Sequence, residues 1–176
     1  LLEPYSGQPD PTGLPQIELE TLAKETREFA ALGFQTCTHA IGDAGVRRVL
    51  DAYEQAQGDD RSLRLRVEHA QIVAPADIPR FAALGVLPSM QPTHCTSDMP
   101  WATARVGPER IRGAYAWQRL RDAGVTHLPL GSDFPVESPN PMLGFYAAVT
   151  RLSPKGTSPS GPKGWFPDQR LTRMRT

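Results

Sequence analysis

Apolar residues along the chain recur with two different periods, one helical and one extended. Ile17, Leu19, Leu22, Ala23, Phe29 and Ala30 follow helical spacing after a Pro- and Gly-rich entry, and Gly33 supplies a stop. Phe34 to His39 predicts a short strand, with Thr and Cys suited to extended backbone. Gly42-Asp43 makes a turn, with Asp43 as helix cap, and Val46, Val49, Leu50 and Tyr53 mark the inner face of the next helix. Leu63, Leu65 and Val67 alternate with Arg64 and Arg66, and this second strand runs into Glu68-His69. Pro75 to Ile78 open another helix, which Gly85 ends, and Val86 to Met90 is a third strand. A long loop is expected from Gln91 past Trp101, then a helix from near Arg110 to Asp122. Val125 to Leu130 reads as the last strand, and Pro141 begins a final helix through Val149.

Strands alternating with helices in this way predict a parallel sheet covered by helices. Four such units make either half of an eight-fold barrel or a small open sheet. No glycine-rich nucleotide fingerprint follows any strand, which weighs against the open dinucleotide-binding form. The 176 residues read as one unit, short for a barrel of about 250 residues. Within it, Ser153 to Pro167 is dense in Pro, Gly, Ser and Lys and predicts an irregular tail with little capacity for core.

Charge and cysteine content narrow the partners. Nineteen basic residues balance nineteen acidic ones, so no field favours nucleic acid or an anionic membrane. No apolar run approaches the roughly 20 residues that cross a bilayer. The first residues, Leu-Leu-Glu-Pro-Tyr-Ser, do not resemble a signal peptide and read like the middle of a longer protein. Two cysteines, Cys37 and Cys95, are too few for a disulfide framework, and free thiols fit a reducing, cytoplasmic compartment.

The candidate chemistry stands at three strand ends: His39 in Thr-His-Ala-Ile-Gly-Asp, His69 in Val-Glu-His-Ala-Gln, and Asp133 in Gly-Ser-Asp-Phe-Pro-Val. In a parallel barrel the C-terminal ends of all strands open on one face, so residues far apart in sequence converge there. Imidazole and carboxylate are good ligands for zinc and similar divalent ions, which lower the pKa of bound water to about 7. Each residue alone has a plainer reading, as a hydrogen-bonded structural His or an Asp that caps its turn. Three at equivalent positions of successive repeats point to a metal site. Gln91 and His94 follow the third strand, where they either touch substrate or cap their own turn, and Trp101 is either a pocket wall or a packed lid. Glu68, by strand alternation, should point away from the barrel interior, whereas Cys37 should lie deep in its core. His127, at the opposite end of its strand, is set aside.

The words around these residues resemble the amidohydrolase superfamily, specifically the family 3 amidohydrolases. They are His39-Ala40-Ile41-Gly42-Asp43, Arg66-Val67-Glu68-His69-Ala70-Gln71, Ser89-Met90-Gln91-Pro92-Thr93-His94, and the run from Gly131 to Pro141. The resemblance implies the C-terminal half, about strands 5 to 8, of a (β/α)₈ metal-dependent hydrolase barrel. It implies that His39 and His69 are metal ligands, and that Asp133 both binds metal and takes a proton from the attacking water. It implies one or two divalent ions, zinc foremost, and a small-molecule substrate with a carbon–nitrogen bond outside a peptide backbone: an amide, an N-acyl compound or a cyclic amide. The sequence departs from the full pattern, because the family's first-strand His-x-His pair and fourth-strand lysine are not in it. The chain is therefore expected to be a fragment, inactive alone, whose partner is the other half of the barrel or a second copy. Two further readings stand beside hydrolysis of amides: a non-catalytic half-barrel that binds a partner, and a phosphoester or lactone hydrolase on the same scaffold.

Overall fold

The computed structural model describes residues 1–9 and 12–173. In chain order the main elements are α1 (Leu19–Ala31), β1 (Cys37–Ala40), α2 (Asp43–Gln57), β2 (Arg66–His69), α3 (Ile78–Leu84), β3 (Leu87–Ser89), α4 (Pro92–Asp98), α5 (Ala102–Arg110), α6 (Trp117–Asp122) and α7 (Pro141–Thr150). The three strands pair in parallel in sequence order, with Cys37 opposite Arg66 and Arg66 opposite Leu87. A parallel bridge between Met90 and Leu130 marks a fourth position beyond β3. The chain is thus an α/β fold with helices connecting parallel strands, as the alternation of periods predicts.

The helices hold one side of the sheet. Val46, Leu50 and Tyr53 of α2, Phe81 of α3, and Leu65 and Val67 of the second strand region are fully buried. The Tyr53 hydroxyl donates to Thr38 Oγ1 at 2.7 Å and to the Arg66 carbonyl at 2.8 Å, pinning α2 across β1 and β2. Thr38 therefore faces the helices, and Cys37 and His39 face the other way.

Several expectations are corrected. Cys37 is exposed rather than deep in a core, because its side of β1 has no covering layer among the described residues. The first strand begins only at Cys37, and of the expected strand Val125–Leu130 only Leu130 pairs. Pro129 contributes a carbonyl to Met90 at 2.9 Å but has no N–H to extend the ladder. The expected loop after Gln91 contains two helices. Pro92 sits at the first turn of α4, a position that tolerates proline, and Cys95, Met99, Ala102 and Val106 are buried at helical intervals across the break at Pro100. The helix expected from Arg110 starts only at Trp117, after a 3₁₀ turn at Ile111–Gly113. Gly113 lies so close to the 71–73 segment that an added Cβ would meet the Val73 carbonyl oxygen at 2.1 Å.

The tail is irregular as expected, yet it does add to the core. Trp165 is buried. The wholly buried Arg151 guanidinium lies 4.6 Å from the Trp117 ring centroid and 5.5 Å from that of Trp165. It donates to the Tyr115 carbonyl at 2.9 Å and also to the Trp165 carbonyl. A single Trp with a cationic partner suffices to anchor a segment whose composition suggests none.

Candidate metal centre and cavity

His39 is the penultimate residue of β1 and His69 the last of β2, and their rings meet edge to face with centroids 4.5 Å apart. Regular alternation would not bring them together, because His39 pairs with Glu68 and His69 with Ala40. The backbone resolves this: His69 and Ala70 have left-handed φ of 71° and 43°, so the chain turns at His69 instead of continuing the pleat. The same turn corrects the expectation for Glu68. It shares the open face with His39, and its carboxylate pairs with Arg66 at 2.6 Å, while Arg66 also donates to Ser89 Oγ at 2.8 Å.

Asp133 follows Leu130, the residue at the fourth strand position, and has a left-handed φ of 56°. Its Oδ2 lies 4.0 Å from His69 Nε2. His94, on the first helical turn after β3, stacks on His69 with centroids 5.9 Å apart and planes 10° apart. One ligand atom from each of His69, His94 and Asp133 falls within 4.8 Å of the others. Of the residues expected to bind metal, His69 and Asp133 fall within this group, and His39 lies against His69 but outside it. His94, expected near substrate, joins the donor group.

Two observations test whether a divalent cation fits. His69 Nδ1 and His94 Nε2 are buried without a hydrogen-bond partner, an arrangement that costs about 1–3 kcal/mol per group if nothing satisfies it. In addition, burial first, and then the neighbouring His39, hold the His69 pKa below its ordinary value, with Asp133 acting the other way. That favours the neutral imidazole, the form that ligates metals. The donor set fits.

Beside it lies a cavity of about 1110 Å³, whose lining includes His39, Gln71, Asp98, Trp101 and Tyr115. Trp101, half exposed, is a wall of this cavity rather than a packed lid. Gln91 is buried away from it, with its side-chain amide directed at the Ser89 carbonyl at 3.4 Å. Sequence reasoning did not single out Asp98. Its Oδ2 accepts from Gln71 Nε2 at 2.5 Å and from the Tyr115 hydroxyl, tying α4 to the segment after His69. Burial raises its pKa, opposed by the Tyr115 hydrogen bond and by nearby His94. The signal was available: Asp98 stands one helical turn after His94, a relation visible only once that segment is read as a helix.

The model of an amidohydrolase family matches residues 1–175. The chain belongs to this family. It is 36% identical over 173 residues to the LONG AFTER FAR-RED 3 protein of Arabidopsis thaliana, covering 97% of this chain and 29% of that protein. It is 35% identical over 153 residues to the amidohydrolase-named YtcJ of Bacillus subtilis (strain 168), covering 87% of this chain and 28% of YtcJ. Crystal structures of uncharacterized metal-dependent hydrolases are also similar. The one from Pyrococcus horikoshii OT3 matches with a TM-score of 0.82 at 33% identity, over 96% of this chain and 32% of its own. The one from Pyrococcus furiosus matches with a TM-score of 0.75 at 33% identity, over 84% and 30% respectively. The chain therefore spans about a third of the length of each of these proteins. No helix among the described residues is long and apolar enough to cross a membrane.

Proposed function

We propose that the protein to which this chain belongs is a metal-dependent hydrolase of carbon–nitrogen bonds other than peptide bonds, acting on small amides, N-acyl compounds or cyclic amides. One observation carries this reading: His39, His69, His94 and Asp133 gather at the C-terminal ends of parallel strands, and two of their imidazole nitrogens are buried and unsatisfied. Membership of the amidohydrolase family supports it. Zinc suits imidazole and carboxylate donors best, with His39, His69 and Asp133 as holders. Bound there, the ion would supply a water of lowered pKa and polarise the substrate carbonyl.

The chain's own residues do the rest. Asp133, partly exposed beside His69, is placed to accept a proton from the attacking water and return it to the leaving nitrogen. The His69 imidazole is held towards its neutral form, first because burial disfavours the charged form and then by neighbouring His39. The neighbouring cavity, walled by Trp101, positions the substrate carbonyl. The His-x-His pair and the lysine that the family resemblance implies are not in this sequence, so turnover is proposed for the whole barrel.

The test is direct. The whole protein is purified, its metal content measured, and a panel of N-acyl amino acids, cyclic amides, lactones and phosphoesters assayed after loading with zinc. Bound metal with hydrolysis of the amide members is expected. A metal-free protein that takes up none on loading, or turnover confined to lactones or phosphoesters, would overturn the proposal.

A further inference from the structure

The cavity carries a cation, Arg105, whose side chain pairs with no acceptor among the described residues. Trp101, Ala102, Arg105 and Val106, at the start and along one face of α5, line it, as spacing of one helical turn dictates. Two arginines contribute to the lining. Arg48 is engaged: Nη1 lies 3.3 Å from Glu18 and 3.2 Å from the Ile17 carbonyl. Arg105 is tied through its backbone, whose carbonyl accepts from Ser6 N–H at 2.8 Å. Its guanidinium has no acceptor among the described residues. The carboxylate in the lining, Asp98, is already bonded to Tyr115 and Gln71.

A guanidinium offers a planar fork of donors that matches a carboxylate in two parallel hydrogen bonds. One turn earlier, the half-exposed Trp101 indole offers a flat apolar surface. A largely apolar wall with a small number of polar and charged groups is the usual composition of a small-molecule site. We infer that Arg105 and Trp101 form an anion subsite, in which the guanidinium holds a carboxylate and the indole packs on the apolar carbons next to it. The substrate of the proposed hydrolysis then carries a carboxylate as well as the bond that is cut. The word substrate rests on the hydrolase reading, but the binding itself does not.

The experiment measures binding to the metal-free whole protein by calorimetry, with 3-phenylpropanoate and its neutral counterpart 3-phenylpropanamide as probes. The carboxylate should bind about 10- to 100-fold more tightly, the scale of a charge-assisted hydrogen-bonded pair. Arg105→Gln should bring carboxylate affinity down to that of the amide and leave the amide unchanged. Arg105→Lys should keep part of the preference, and Trp101→Ala should weaken both probes by a similar factor. Arg105 is exposed, so these variants are expected to keep the parent circular dichroism. Equal binding of the two probes to the parent, binding of neither, or a preference that survives Arg105→Gln would each overturn the inference. Selective binding without any amide hydrolysis by the zinc-loaded protein removes the hydrolase reading and leaves the subsite. Hydrolysis of neutral amides without selective binding removes only the subsite.

Discussion

Replacing Asp133 with Asn separates its chemistry from its structural role. Asp133 sits in left-handed backbone at φ 56°, where Asn is among the best tolerated residues, so the exchange should leave the turn intact. What changes is charge. Asp133 Oδ2 is 4.0 Å from His69 Nε2, and its side chain is 39% exposed, so solvent screening holds a unit-charge interaction there to about 1 kcal/mol. Doubled for a divalent ion, this is about 2 kcal/mol, or roughly 30-fold in metal affinity. The imidazoles of His39, His69 and His94 and the Asn oxygen remain. Loss of a general base, by contrast, costs about 10²–10⁴ in rate. In the whole enzyme held at saturating zinc, Asp133→Asn should therefore keep its ion by mass spectrometric metal analysis and lose turnover by that larger factor. His69→Ala should lose ion and turnover together. Near-normal kcat in Asp133→Asn at full metal occupancy would refute the reasoning and leave Asp133 as a turn residue.

Three other outcomes follow from the geometry. Gly113→Ala should destabilise the chain by about 1–3 kcal/mol, because the new Cβ meets the Val73 carbonyl at 2.1 Å; thermal melting checks this, and an unchanged Tm would contradict it. The His69 pKa is depressed in the folded state, so its contribution is present above its ordinary 6.5 and lost as pH falls from there through the lower folded value. Metal-free protein should accordingly melt earlier on acidification from about pH 7.5 to about pH 5.5, and His69→Gln should flatten that dependence. The 176-residue chain purified by itself should retain zinc substoichiometrically after dialysis and show no useful turnover, which metal analysis and the amide panel decide.

How much was legible in advance depended on whether local rules were obeyed. The strand β2 and the helices α1, α2 and α7 have clean periods and sensible stops, and each lies where the apolar pattern puts it. The stretch from Gln91 to Tyr115 misled, because Pro92, Pro100, Gly107 and Pro108 are breakers by composition, and α4 and α5 form around them. That misreading left His94 in a loop and hid Asp98 altogether. Val125–Leu130 failed for the opposite reason: its apolar run is convincing, but Pro129 cannot donate to a ladder. His39, His69 and Asp133 were found from strand ends and neighbouring words, whereas the Asp98–Gln71–Tyr115 network joins three separate segments and has no signature in sequence.

The left-handed residues explain why alternation failed where it did. Of the seven non-glycine residues with positive φ among the described residues, His69, Ala70 and Asp133 lie at this end of the sheet, and two of these three are donors in the candidate metal group. Each such residue costs of order 1–3 kcal/mol and persists only when its surroundings enforce it. At His69 the enforcement is visible. Ala70 N–H bonds the Ala40 carbonyl at 3.0 Å, Ile72 N–H bonds the Ile41 carbonyl at 2.9 Å, and Tyr115 N–H bonds the Gln71 carbonyl at 2.8 Å. The turn is thus clamped on both sides immediately after the strand, and its effect is to swing one imidazole from the helix side of the sheet towards His39, His94 and Asp133. Left-handed backbone and unsatisfied imidazole nitrogens coincide at this end of the sheet. Packing of the hydrophobic core requires neither, since that core lies against the helices, whereas a donor group held ready for a cation requires both.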